Sequence, residues 1–509
     1  MNNSPSNAQD ILMELKNITA LKNMEAYIVG GYVRDLLTGR QAKDIDLLFP
    51  ENKILDVVKK IAAYFGATFY KMDVDRGFYR ILIHGDEGQI FTVDAVPLSG
   101  SIEENLAMRD FTINSLAIPL ANFDNLSDVI DFNGGVQDIK SKLIRYTRKD
   151  VFKKDPIRLL RGIRISSQIG FDIDDKTRDL IAKDANYLSK VSPERSRDEL
   201  LHILALDSCK ENIWKLDKFG LLIILFPELE NTRGVEQPEQ HYWDVLEHSI
   251  ETVGIFENIV DTKKRTQSQL LVKIPWLTEL DEYFATEVVP GRSRSLLTKI
   301  ACLLHDIAKP QTKKVHDDGK IRFLGHPDQG ADMTSKMLKN LKFSNKEINF
   351  IKLVIQQHLR PMQLSNDLSL PSSKSLFRFK RDLGNALFST LYLSIADYLA
   401  AKGPKLRTDQ WDRRVEYCQW VLSGINSQSV KSVLETPMID GNMLMKELNL
   451  NPGPRVGFLL KNIQEAIAAG DVRNKDNAIN YARDLLSARN DETVTDQDEN
   501  IYFKGGSIQ

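Results

Sequence analysis

Residues Ile28–Phe49 read IVGGYVRDLLTGRQAKDIDLLF, and the rest of the chain is organised around them. A short apolar run, a Gly30-Gly31 turn, a stretch carrying Arg34 and Asp35, a Gly39 stop and a second apolar run predict strand, turn, helix and strand. On the second strand Asp44 and Asp46 stand at i and i+2, so both carboxylates project from one face. Two like charges held that close repel unless a cation sits between them. Magnesium, which takes one or two carboxylates together with phosphate oxygens, suits the pair. The glycines let backbone N–H groups approach a phosphate at the helix start, where the dipole favours an anion. Arg34 adds charge-assisted hydrogen bonds to the same group. A glycine pair alone is an ordinary turn and a lone Asp-x-Asp a solvated strand; their order and spacing make the signal.

This arrangement, Gly30-Gly31-Tyr32-Val33-Arg34-Asp35 followed by Asp44-Ile45-Asp46, resembles the GG-x-VRD and DxD signature of the class II tRNA nucleotidyltransferase and bacterial poly(A) polymerase family. Further motifs extend the resemblance. Met108-Arg109-Asp110-Phe111-Thr112-Ile113-Asn114-Ser115 is similar to the family's RRDFTxNA, with Met108 in place of the first arginine. The resemblance implies that Arg109 contacts the triphosphate and Asp110 the ribose. Ile130–Gly135 is similar to a DPxGG turn, and Ser192-Pro193-Glu194-Arg195 to a SPER helix start in which Glu194 and Arg195 are structural.

Around these motifs, residues 1 to about 25 predict a lead-in helix and Ile54–Phe65 a helix with apolar positions at helical spacing. Thr68–Lys71, Tyr79–His84 and Ile90–Val96 alternate as strands, giving an α/β head with a small mixed sheet. Asp94, on the last of these, reads either as an edge-strand carboxylate or as a third one facing the metals.

Phe152–Arg164, FKKDPIRLLRGIR, predicts a helix with Pro156 in its tolerated first turn. Asp155 and Arg158 then stand at i and i+3 on one face. Cytosine and adenine both offer an exocyclic amine beside a bare ring nitrogen, which an Asp acceptor and an Arg donor match. Guanine and uracil present the reverse and leave both groups badly paired, at a cost large enough to discriminate. The family motif EDxxR does this with the same Asp and Arg; Lys154 occupies its Glu position. Arg161 and Arg164 complete the candidate nucleotide-binding set. From Ile139 to Arg164 ten Lys/Arg face two Asp, a patch fit to follow a phosphate backbone.

From His241 the character changes. His248, the pair His305-Asp306, His326, His358 and Asp397 follow in the order H…HD…H…H…D, which resembles the HD phosphohydrolase superfamily. An adjacent His-Asp on a helix supplies a nitrogen and an oxygen to one metal or bridges two. His248, His305, Asp306 and Asp397 are the expected ligands, with His326 and His358 for a second metal and His241 structural. The metal would be manganese, nickel or magnesium and would activate water against a phosphate ester. Leu450–Gly457, LNPGPRVG, is similar to a PGPxVG segment that in the family touches the tRNA elbow.

Length and composition bound the remainder. At 509 residues the chain exceeds one core. Three widely spaced cysteines, Cys209, Cys302 and Cys418, argue against a disulfide framework and fit a reducing cytosol. No apolar run spans a membrane, and MNNSPSNAQD lacks the basic and apolar regions of a signal peptide. The expected layout is a nucleotidyltransferase head (1–140), an all-α neck (141–235), an HD helical domain (236–405), a helical tail (406–488) and a disordered end (489–509). The resemblance implies CCA addition to tRNA from CTP and ATP, with Asp44 and Asp46 holding two magnesium ions, and a cytoplasmic enzyme. CC-only addition, suggested by the short link from Ala95 to Asn105, poly(A) synthesis, and an HD hydrolase with an RNA-binding head are the alternatives. The acidic chain end speaks against poly(A) synthesis.

Overall fold

The structure, a computed structural model, describes residues 5–18, 24–41, 44–73, 77–317, 319–364, 371–426 and 438–490. The chain divides into two units, residues 1–227 and 228–509. The expected disordered end lies outside the described residues from 491 onward, and 489–490 complete the helix Lys475–Asn490.

In the first unit a lead-in helix α1 (Ala8–Asn17) precedes β1 (Tyr27–Val29), α2 (Gly31–Leu37) and β2 (Asp44–Pro50). Then come α3 (Ile54–Phe65), β3 (Thr68–Asp73), β4 (Phe78–His84), β5 (Ile90–Leu98), α4 (Ile102–Ala107) and β6 (Ala117–Pro119). The sheet order is β3-β4-β5-β2-β1-β6. Only β2 and β5 pair in parallel, so the sheet is mixed as the sequence predicts. Period-2 alternation builds its two faces. Ile45, Leu47, Ile81, Ile83, Val93 and Ala95 are buried on one face, where α3 packs with Val57, Val58 and Ile61 inward. On the other face Leu48 joins Val29, Leu106 and Ala117 under α4, while Asp44 remains exposed and Asp46 half-buried.

The helical part follows with α5 (Gly135–Lys140), α6 (Val151–Lys154) and α7 (Arg158–Ile169). Here the structure corrects the sequence reading. Asp155 is not on a helix but ends α6 in an extended conformation, φ −145° and ψ 94°. The ring of Pro156 disfavours helical geometry in the residue before it, so the predicted single helix breaks into two. The basic patch is also divided. Its lysines 140, 142, 149, 153 and 154 are exposed, whereas Arg145, Arg161 and Arg164 are bound to Asp138, Asp110 and Glu199.

In the second unit the helices Val245–Val260, Arg294–Leu304, His326–Asn340, Asn345–Gln356 and Leu387–Lys402 pack on one another. A separate small core of Ile439, Leu444, Leu459, Ile463, Ala466, Val472, Ala478 and Ala482 lies in the tail helices. Among the described residues no helix is long and apolar enough to cross a membrane. The three cysteines are buried and form no disulfide among the described residues.

Candidate active site and metal centre

Asp46 pairs in register with Asp94 of β5, so the two share a face. β5 is an inner strand, which corrects the edge-strand expectation for Asp94. Arg80 of β4 grips Asp94 through two hydrogen bonds of 2.7 Å. Burial raises the Asp46 pKa; Arg109 nearby lowers it, and Asp94 and Asp44 push it up again.

Gly30 opens α2 with φ +74°, and a Cβ there would lie 2.7 Å from Arg109 Nη1 and 3.1 Å from Asp46 Oδ2. Only a glycine lets a cationic and an anionic group converge over this backbone. Arg109 Nε is buried without a hydrogen-bond partner, and burial lowers the guanidinium's pKa. Such an orphaned cationic donor is the counterpart of a phosphate. Crowded carboxylates beside it are the counterpart of a divalent cation. The residues present therefore fit a metal-bound triphosphate.

Two predicted contacts are placed differently. Arg34 is 8% exposed. Its Nε and Nη2 meet Asp35 Oδ1 at 2.8 and 2.7 Å, and Nη1 donates to Asn114 Oδ1 at 2.7 Å. It locks α2 to the segment after α4, with Gly31 beside it. Asp110 is buried and accepts from Phe111 N (2.8 Å), Asn114 Nδ2 (3.1 Å), and Arg161 Nε and Nη2 (2.9 and 2.7 Å). Burial alone would raise its pKa; the Arg161 charge and these hydrogen bonds outweigh it and hold the carboxyl at about 2. Both oxygens are engaged, so Asp110 anchors Arg161.

A cleft of about 380 Å³ is lined by Arg109, Asp110, Asp155, Ile157, Arg158, Arg161, Arg195, Asp198 and Glu199. Arg158 Nη2 donates to the Met108 carbonyl at 2.9 Å. Arg195, read as structural from the sequence, donates to Asp155 Oδ2 at 3.1 Å and stands 55% exposed. Its signal was the charged run opening the helix Pro193–Ala205. Arg164 does not line the cleft itself; it bonds Glu199 of the cleft wall at 2.8 Å and Gln168 at 3.3 Å.

In the second unit His248, His305, Asp306, His326 and His358 are buried and converge with Asp397. His248 Nε2 lies 3.3 Å from His305 Nε2 and from Asp306 Oδ2, and 3.0 Å from Asp397 Oδ1. His326 Nε2 lies 3.2 Å from Asp306 Oδ1. The Nδ1 atoms of His305, His326 and His358 are 2.7–2.8 Å from the carbonyls of Cys302, Phe323 and Ile355. Each such bond fixes the ring and turns Nε2 inward as a ligand. Burial pushes the His358 pKa down to about 3, leaving a neutral imidazole. Asp306 is buried with its Oδ2 ion-paired to Lys309 Nζ at 2.6 Å, and its Oδ1 and His326 Nε2 face each other. Four imidazoles and two carboxylates gathered this closely fit one or two divalent cations. His305 and Asp306 sit in a turn after Arg294–Leu304 and not on the expected helix. Pro310, in the first turn of the helix Lys309–Thr312, has no N–H for the Asp306 carbonyl four residues back. His241 packs edge-on against His248, centroids 5.6 Å apart.

The sequence matches the Poly A polymerase head domain over residues 26–145 and the probable RNA and SrmB-binding site of polymerase A over 170–232. It matches the HD domain over 245–402 and tRNA nucleotidyltransferase domain 2 over 427–482. An A-adding tRNA nucleotidyltransferase of Deinococcus radiodurans is 29% identical, over 88% of this chain and 92% of the relative. A CC-adding tRNA nucleotidyltransferase of Thermus thermophilus is 28% identical, over 89% and 92%. The Thermotoga maritima CCA-adding enzyme complexed with tRNA has the same fold, with a TM-score of 0.58 at 22% identity over 95% of this chain and 97% of that one. The chain belongs to the class II tRNA nucleotidyltransferase and poly(A) polymerase family, carries an HD domain, and is a nucleotidyltransferase.

Proposed function

We propose that the chain adds CCA to the 3′ end of tRNA from CTP and ATP. The observation that carries this is the cleft in which Asp155 and Arg158 stand beside Arg109. Arg109 and the Gly30-Gly31 backbone receive the triphosphate. Asp155 accepts from the exocyclic amine of cytosine or adenine while Arg158 donates to the ring nitrogen. Asp110 holds Arg161 against the same cleft wall. Asp44 and Asp46 would hold magnesium, which would supply charge stabilisation for the primer 3′-hydroxyl and the leaving pyrophosphate.

The relatives named above add A, CC or CCA, and the short link Ser99–Ser101 between β5 and α4 favours a second reading, partial addition. Purified protein incubated with tRNA ending before the CCA, and with tRNA ending in CC, separates these readings. Three nucleotides added to the first substrate is the expected result. Two alone, or a single A added only to the second, would replace CCA addition by the partial activity.

The HD site has its own chemistry under this reading. Its imidazoles and carboxylates would hold a divalent metal, which would supply Lewis-acid activation of water against a phosphate ester. Release of phosphate from model esters, lost in His305→Ala while transfer persists, is the test.

A further inference from the structure

Across the open face of the head sheet runs a row of directly paired residues: Tyr70 on β3, Arg80 on β4, Asp94 on β5 and Asp46 on β2. Directly opposed residues share a face, so all four side chains lie on the side that carries Asp44. Asp46 belongs to the acidic pair, and Asp94 is taken by Arg80. Tyr70 has no such assignment. It is 46% exposed, although it stands on a row that leads to the carboxylates.

Two features point to what covers it. The bidentate grip of Asp94 fixes the Arg80 guanidinium and leaves it 33% exposed, with Tyr70 as a further hydrogen-bonding neighbour. A fixed cation beside an exposed aromatic ring is the pairing used on unpaired nucleic-acid strands, where bases stack on rings and cations meet phosphates. The position agrees. Three strand spacings of about 4.8 Å put the Tyr70 backbone about 14 Å from that of Asp46, within reach of the last nucleotides of a strand whose 3′-hydroxyl is presented to the acidic pair. An exposed edge such as β3 also invites a peptide strand, but backbone pairing gives no use for a ring and a guanidinium aligned with the carboxylates.

We propose that Tyr70, backed by Arg80, is a stacking platform for an unpaired base just upstream of the reacting 3′ end of the RNA primer. This rests on the reading of the head as the nucleotidyl-transfer site.

The test uses the full chain with Tyr70→Ala, Tyr70→Phe and Tyr70→Trp. Tyr70→Ala raises KM for the truncated tRNA about tenfold, with KM for CTP unchanged. The Kd of a fluorescently labelled single-stranded RNA, read by anisotropy, rises by the same factor. Tyr70→Phe and Tyr70→Trp restore both, as stacking requires and a purely structural role does not. An unchanged RNA KM and Kd in Tyr70→Ala, the outcome for a peptide-binding edge, overturns the proposal. So does a rise in the CTP and RNA constants together, or failure of the aromatic variants to rescue. If the wild-type chain transfers no nucleotide, the head reading fails by itself, and the anisotropy series still decides Tyr70.

Discussion

Arg195 Nη2 lies 3.1 Å from Asp155 Oδ2, whereas Arg158 Nε stands 3.9 Å from that same oxygen. The acceptor proposed for the base amine is therefore held chiefly by a residue forty positions along the chain. Arg158 gives its Nη2 proton to the Met108 carbonyl. Met108 replaces the family arginine, so the backbone at this position, not its side chain, fixes Arg158.

Removing Arg158 takes away the donor to the ring nitrogen. We expect Arg158→Ala to lower the preference for CTP over UTP by up to about 100-fold, the scale set by one unsatisfied buried polar group. Arg195→Ala should have a smaller effect in the same direction, because Asp155 keeps its charge but loses its orientation. Competitive incorporation from mixed nucleotides measures both; an unchanged preference in Arg158→Ala would remove the templating role.

The Asp110–Arg161 pair predicts a pH-dependent stability. Its folded pKa of about 2 is depressed from 3.8, so its contribution is fully present above about pH 4 and is lost as pH falls through 2. Asp110→Asn should cost about 2 kcal/mol at pH 7, and the difference from wild type should shrink at pH 3. Denaturant unfolding at the two pH values checks the sign; a gap that widened on acidification would contradict it.

Gly30→Ala combines two effects. The left-handed φ of +74° costs a residue with a Cβ about 1–2 kcal/mol, and the new methyl must displace Arg109. Thermal denaturation should show the first as a modest loss. The second should appear as a drop in kcat/KM for CTP of about 100-fold, well beyond what instability explains.

The two metal centres should be separable. Asp46→Ala should abolish nucleotide transfer and leave divalent binding at the HD site intact. In the wild type a divalent ion at about 100 times its Kd should stabilise the second unit by about 2.7 kcal/mol. His305→Ala should lose that stabilisation without loss of transfer. Calorimetric unfolding with and without chelator reads this directly, and a transfer defect in His305→Ala would mean that the centres are coupled.

The sequence alone determined the alternation that buries Ile45 and Leu47 while leaving Asp44 and Asp46 on the open face, the Gly30-Gly31 turn, and the order of the HD ligands. These are local properties: strand period, conformational freedom at φ > 0 and side-chain chemistry are written in adjacent residues. Tertiary structure decided the rest. It brought Arg109 over Gly30, satisfied Asp110 with Arg161, took up Arg34 between Asp35 and Asn114, carried Arg195 to Asp155, and set Tyr70 in line with Asp46. Each of these depends on which segments the fold brings side by side. That is a matter of packing between segments far apart in the chain, and no spacing rule along the sequence records it.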